Sequence, residues 1–409
     1  MKIDFKFSCL TMLHFIRNTF LHPLKEIIHD SRAIGIILLF CTFLSLIIAN
    51  IPSVNIVYTQ FWENTFSNTN EHYLHIGFIN LPNSIIIIIN DFLMAFFFFL
   101  AGMEIKRELS FGELSSFKKS FLPVFAALGG MLMPALLFLL CNKNSIYKHG
   151  WAIPTATDIA FTLGIASLLG KRVPLTLKVF ITALAIIDDL GAIVIIAIFY
   201  GSKLKVLYLV LSAVIVIVFY MLNKLKIKFG LWYIVAALLL WYCMFNSGIH
   251  ASIAGVIAAF FIPINNLEKL ELKLHSPVYF LILPIFALAN TAIIFPENFT
   301  TTLTNSLSIG IFIGLFLGKP LGIFIFSFIA VKTKVAALPE HTNFKQMIGA
   351  GILCGIGFTM SIFIAALAFK EIEFQNTAKI AVLIASFVSI IFGIIWLRAF
   401  SKPVSETEI

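Results

Sequence analysis

Charge is scarce in this chain. Asp, Glu, Lys and Arg make up 12% of its 409 residues, against about a quarter of an ordinary soluble domain. The length could hold two or three soluble domains, but no charged block of that size remains between the apolar runs. Cysteine is sparse as well. Cys9, Cys41, Cys141, Cys243 and Cys354 show no CxxC spacing, and four of the five lie in or beside apolar runs. That excludes a disulfide framework and a zinc knuckle. No P-loop, GxGxxG fingerprint or zinc-ligand cluster is present, so no nucleotide, redox or metal cofactor is expected. A cleavable leader is not expected either, because the first 31 residues are mixed and charged and the first long apolar run starts near Ala33.

Apolar sequence fills the space that charge leaves. Hydrophobic residues reach 60% and the mean hydropathy is +1.00. They recur in runs of about 20 residues, the length a helix needs to cross about 30 Å of hydrocarbon. Helices are expected because backbone polar groups in lipid must be satisfied within their own segment. The fold class is therefore an all-α polytopic membrane protein. Twelve spans are predicted, near 33–50, 84–104, 121–141, 151–170, 176–199, 205–222, 229–245, 247–262, 277–295, 306–330, 347–369 and 379–400. One transmembrane domain over 33–400 follows, flanked by a segment 1–32 and a tail 401–409.

The net charge of +9 does not point to nucleic acid, because the bases sit in short loops between spans. They report orientation instead. With both termini inside, 21 of the 29 Lys and Arg residues fall on inner segments and 6 on outer ones. The outer loop 51–83 has none. Both termini are expected in the cytoplasm of a multi-pass protein surrounded by membrane lipid.

Two spans are interrupted. One carries Pro154-Thr155-Ala156-Thr157-Asp158 and the other carries Gly351, Gly355 and Gly357, then Thr359 and Ser361. Such breaks are tolerated where they line a cavity or are buried in protein. Ala160-Phe161-Thr162-Leu163 echoes Gly357-Phe358-Thr359-Met360, and Met133-Pro134 echoes Lys319-Pro320. The segments about 121–199 and 306–400 start on opposite sides, so an inverted-topology repeat is predicted.

Asp188 and Asp189 sit mid-span. An ionised Asp at a helix centre costs at least about 2.5–3.5 kcal/mol, so intramembrane acids are read as functional, with interhelical hydrogen bonding as the alternative. Asp158 with Thr157 offers hard oxygens at a break; the alternative is a helix cap. Lys319 lies deep in its span and needs a carboxylate partner; Asp188 is the candidate, and a structural ion pair the alternative role. A carboxylate in a desolvated cavity holds a proton that sodium can displace. Competition of this kind with alternating access yields exchange. A second set is read at the cytoplasmic edge: Glu104, Lys106, Arg107, Glu108, His250, and Glu268 and Glu271 in a loop. These could bias activity with pH or simply anchor the interface. Asp91, after Asn90, is a further intramembrane acid, structural or on an entry path. Gly314/Gly318 and Gly351/Gly355 read as helix packing.

Five motifs carry a resemblance. They are Trp151-Ala-Ile-Pro-Thr-Ala-Thr-Asp-Ile-Ala-Phe, Ala183-Leu-Ala-Ile-Ile-Asp-Asp-Leu-Gly-Ala, Ser247-Gly-Ile-His-Ala-Ser-Ile-Ala-Gly-Val, Gly318-Lys-Pro-Leu-Gly and Gly351-Ile-Leu-Cys-Gly-Ile-Gly-Phe-Thr-Met-Ser-Ile-Phe. Over about residues 15–400 the chain resembles the bacterial NhaA-type sodium/proton antiporters, an inverted-repeat family. The resemblance implies two broken helices crossing at the bilayer midplane. It implies that Asp188 and Asp189 are the pair that binds Na+ or Li+ and carries protons. It places Asp158, Thr157 and Lys319 at the crossing, and matches Glu104, Glu108, Glu271 and His250 to positions linked to pH sensing. It further implies electrogenic Na+ or Li+ export against H+, a bacterial inner-membrane location, and a homodimer in many members. Departures are Thr155 at the break, Ala101-Gly-Met-Glu-Ile, and the Asn- and aromatic-rich loop 51–83, where a dimer hairpin should lie.

Other classes remain to be weighed. An intramembrane aspartyl protease needs two facing helices and a Gly-x-Gly-Asp-type motif, whereas these aspartates are adjacent. A sodium channel or sensor also fits broken helices, and turnover driven by a pH gradient alone would separate it from an exchanger.

Overall fold

The computed structural model describes residues 31–67, 73–76, 79–201 and 203–401. All but the edges of the segments 1–32 and 401–409 lie outside the described residues. The chain opens with α1 (Ser31–Ala49) and the short α2 (Asn55–Glu63), followed by a hairpin of β1 (Tyr73–Ile76) and β2 (Ile79–Pro82). The strands are antiparallel, with Tyr73 opposite Pro82 and Ile76 opposite Ile79. The unusual loop 51–83 thus does hold a helix and a hairpin.

Long helices follow: α3 (Ile85–Ser110), α4 (Phe117–Cys141), α5 (Ile159–Leu168) after a 3-10 segment (Ile146–Thr155), α6 (Leu175–Phe199) and α7 (Val206–Lys224). Then come α8 (Leu231–Ser247), α9 (Ile253–Phe260), α10 (Ile264–Asn290), the short α11 (Phe299–Thr304), α12 (Ser306–Lys332), α13 (Phe344–Cys354), α14 (Phe358–Ala368) and α15 (Ile372–Phe400). Among the described residues, eight helices are long and apolar enough to cross a membrane, or ten if each of two bent pairs counts as one span. The other two of the twelve expected segments are α8 and α9. At about 1.5 Å per residue, the 17-residue α8 falls just short of the hydrocarbon thickness and the 8-residue α9 well short. They form the expected hairpin, turning at Gly248, whose φ of +93° suits glycine.

One boundary moves substantially. Residues 263–276, read as a loop carrying Glu268 and Glu271, are the first turns of α10. The helix continues through Pro277 into a wide π-turn at Val278–Ile282, which precedes Pro284. A π-turn widens the ladder locally and absorbs the missing N–H and the steric demand of proline. The same device precedes Pro320 in α12, at Gly314–Gly318.

No hydrophobic force drives helices together in lipid, so close packing and hydrogen bonds must hold them. Gly318 lies against Pro134, where a Cβ would stand 2.8 Å from the proline Cα, and Gly351 lies as close to Pro320. The small-residue patterns therefore do serve packing, and what they admit is the proline-bearing backbone beside both helix breaks.

Candidate functional site at the crossed helix breaks

The 3-10 segment and α5 meet at a 44° bend, and α13 and α14 at a 48° bend. Ala156, with φ −81° and ψ 151°, is extended. The chain from there to Asp158 crosses the Gly355-Ile356-Gly357 break. The Asp158 N–H donates to the Ile356 carbonyl at 2.7 Å, and the Thr157 hydroxyl to the Cys354 carbonyl at 3.0 Å. Thr162 donates to Leu353 O at 3.2 Å and Ser361 to Ile153 O at 2.7 Å. Each broken helix thus satisfies orphan carbonyls of the other. Thr155 turns instead to its own segment, donating to Ala152 O at 2.8 Å.

Asp158 joins the two starting half-helices. Its Oδ1 accepts from the Phe161 N–H at 3.1 Å, capping α5. Its Oδ2 accepts from the Thr359 N–H at 3.0 Å and from the Thr359 hydroxyl, at the start of α14. One carboxylate therefore faces two positive helix ends. The cap reading and the crossing reading coincide in one residue. Thr359 is the partner that sequence reasoning placed in the break without a role.

Lys319 stands on the opposite side of the charge balance and is 0% exposed. Its Nζ donates to Asp188 Oδ2 and, at 2.7 Å, to Thr157 Oγ1, whose hydrogen goes to the carbonyl end of α13. Asp188, 1% exposed, is neutralised by that ion pair. Its neighbour Asp189, 4% exposed, is not. Asp189 Oδ1 is buried without a hydrogen-bond partner. Within its electrostatic reach stand Asp188, Asp158 and Glu104, with Lys319 as the cation. Among the described residues no group of three or more His, Cys, Asp or Glu side chains converges as a metal centre.

The second residue set divides in two. Arg107 bridges Glu271, and Glu108 at 3.2 Å. Glu104 lies within electrostatic reach of all three. Lys106 donates to Phe260 O at 2.8 Å, at the end of α9. His250 does not belong with them, and its reading at the cytoplasmic edge is corrected. Its Nε2 meets Asp91 Oδ1 at 3.2 Å, and its Nδ1 meets Ser252 Oγ at 2.9 Å. Asp91 and Arg107 are 16 residues apart on α3, roughly 24 Å at a helical rise, so His250 sits toward the other membrane face. The physical reason is chain direction: α8 and α9 form a hairpin, and its tip at Gly248–His250 points away from the α10 start. A signal existed in the sequence, since the charge bias already placed 246–252 outside.

A bundle of long apolar helices, with buried acids and a buried lysine gathered where two broken helices cross, defines a multi-pass membrane protein with a charged centre inside the membrane. A sequence profile described as Na+/H+ antiporter 1 matches residues 25–397. Proteins described as Na(+)/H(+) antiporter NhaA are similar across nearly the whole length. One from Citrobacter koseri is 46% identical over 379 residues, covering 90% of this chain and 96% of that protein. One from Cytophaga hutchinsonii is 44% identical over 393 residues, covering 94% and 97%. One from Escherichia coli is 46% identical over 378 residues, covering 90% and 96%. The chain belongs to the Na+/H+ antiporter 1 family.

Proposed function

We propose that this protein exports cytoplasmic Na+, or Li+, in exchange for external H+, without a resident cofactor. One observation carries the reading: Asp189 is buried, its Oδ1 has no partner, and the adjacent Asp188 is already neutralised by Lys319. An ionised carboxylate in that setting is costly unless a positive charge joins it. A bound proton and a bound alkali ion each supply that charge, and one site cannot hold both. Competition at Asp189, with Asp188 as its neighbour in the cation shell, converts opposite gradients into exchange once the site opens to one side at a time. The transported ion is cargo, and backbone carbonyls or water complete its shell. Asp158, Thr157 and Lys319 hold the crossing in register and set its charge. Exchange of more proton charge than cation charge per cycle makes transport electrogenic.

The Glu104, Glu108, Glu271 and Arg107 group supports pH regulation at the inner end, because Glu104 lies within electrostatic reach both of the other three and of Asp189. His250, paired with Asp91, supplies a second titratable contact on the outer side. The rest of the reading is a single antiporter domain over 33–400 with repeats about 121–199 and 306–400, both termini in the cytoplasm, and a bacterial inner-membrane location. The hairpin of β1 and β2 is the element we read as joining a homodimer.

The test is sodium-dependent dissipation of a pH gradient in everted vesicles. Wild type should collapse the gradient on Na+ addition, and Asp189→Asn should be silent though present in the membrane. Equal activity in the variant would make Asp189 structural and end this mechanism.

A further inference from the structure

The adjoining ends of α2, α3, α10, α14 and α15 line a cavity of about 300 Å³. Lys379 of α15 lines it and is 8% exposed. Its amine makes no hydrogen bond or ion pair with any described residue. Trp62 of α2 lines the same cavity, and its indole Nε1 is buried without a partner. The neighbouring side-chain amides point their donors away from Lys379 and Trp62. Gln375 donates to Phe369 O at 2.7 Å, and the amides of Asn90 and Asn290 pair with each other at 2.8 Å. Glu63 also lines the cavity, exposed and within electrostatic reach of Lys379 but not bonded to it.

A buried ammonium with no counter-charge bonded to it is disfavoured. Both orphan groups here are donors, so the group that satisfies them must accept hydrogen bonds and carry negative charge. Water answers the first requirement and not the second. Phosphate oxygens answer both, since lysine binds phosphate as a point charge and charge-assisted hydrogen bonds are the stronger kind. The charge bias puts these helix ends at the outer interface, the depth at which tryptophan and phospholipid headgroups gather. We infer that this cavity is a binding site for a phosphate group, carried by a phospholipid headgroup of the outer leaflet or free as inorganic phosphate. Glu63 opposes the ligand and weakens it.

The experiment uses the full-length protein in neutral detergent and potassium salts, with retained lipid counted by native mass spectrometry. The probes are dioleoyl-phosphatidylglycerol, dioleoylglycerol as its phosphate-free counterpart, and inorganic phosphate as competitor. Phosphatidylglycerol should be retained and dioleoylglycerol not. Lys379→Gln should lose about tenfold or more in affinity, Lys379→Arg should keep most of it, and Glu63→Gln should gain roughly two- to fivefold. Displacement by inorganic phosphate assigns a free-anion site, and resistance to it assigns the lipid; both support a phosphate site. Equal retention of the two lipids with no inorganic phosphate bound, or Lys379→Gln binding as tightly as wild type, overturns it. If Lys379→Gln does not fold, Glu63→Gln decides: unchanged affinity there also overturns it.

Discussion

At the residue scale, three carboxylates on two neighbouring segments have three different settings. Asp158 is spent on hydrogen bonds, Asp188 on an ion pair through Oδ2 that leaves its Oδ1 unbonded, and Asp189 has no cation bonded to it and its Oδ1 bonds to nothing. Single and double substitutions should separate them. Asp188→Asn strands the Lys319 charge in a buried site and should destabilise by about 3–5 kcal/mol. Replacing both, Asp188→Leu with Lys319→Met, should recover most of that loss, because a buried pair gains little over apolar packing. Thermal unfolding of the purified variants checks this; a double variant no better than the single one refutes it. Glu271→Gln removes the titratable half of its bridge to Arg107. The pH profile of exchange between pH 6 and 9 should then flatten, and an unchanged profile would make the bridge an anchor only. The sequence showed which acids were intramembrane and suggested Lys319 for Asp188. It could not show that Asp189 lacks a partner, because that depends on what the other helices bring near it.

At the element scale, both breaks were legible as polar or glycine-rich interruptions of apolar runs. Their mutual bonding was not. Thr157 to Cys354 and Asp158 to Thr359 join residues about two hundred positions apart. Asp158→Ala removes a cap from α5 and from α14 together, so it should cost about 2–4 kcal/mol, more than one ordinary cap. Thr359→Val, which keeps the backbone N–H bond, should cost roughly 1 kcal/mol. Proteolytic susceptibility of the two variants against wild type orders them. Prolines misled in one direction only. Pro277 marked a helix start that lies thirteen residues upstream at Ile264, because the helix runs on through it into a π-turn.

At the scale of the whole molecule, the orientation proposed from Lys and Arg placement can be read directly. On a cysteine-free background, a membrane-impermeant thiol reagent should label His75→Cys in the hairpin from outside intact cells and Glu268→Cys on α10 only in everted vesicles. Labelling of both from one side would discard the topology. The same frame separates His250 from the inner charge group, and a single list of titratable residues hid that separation.

The sequence by itself determined the solvent in which this protein folds, the order of its apolar segments, and the identity of the acids and the lysine within them. These are local properties, written in runs of about twenty residues and in single costly charges. Only the tertiary structure decided which charges neutralise each other, which carboxylate stays unpartnered, and that His250 belongs with Asp91. Those outcomes rest on contacts between segments distant in the chain, and no periodicity along one segment encodes the distance to another.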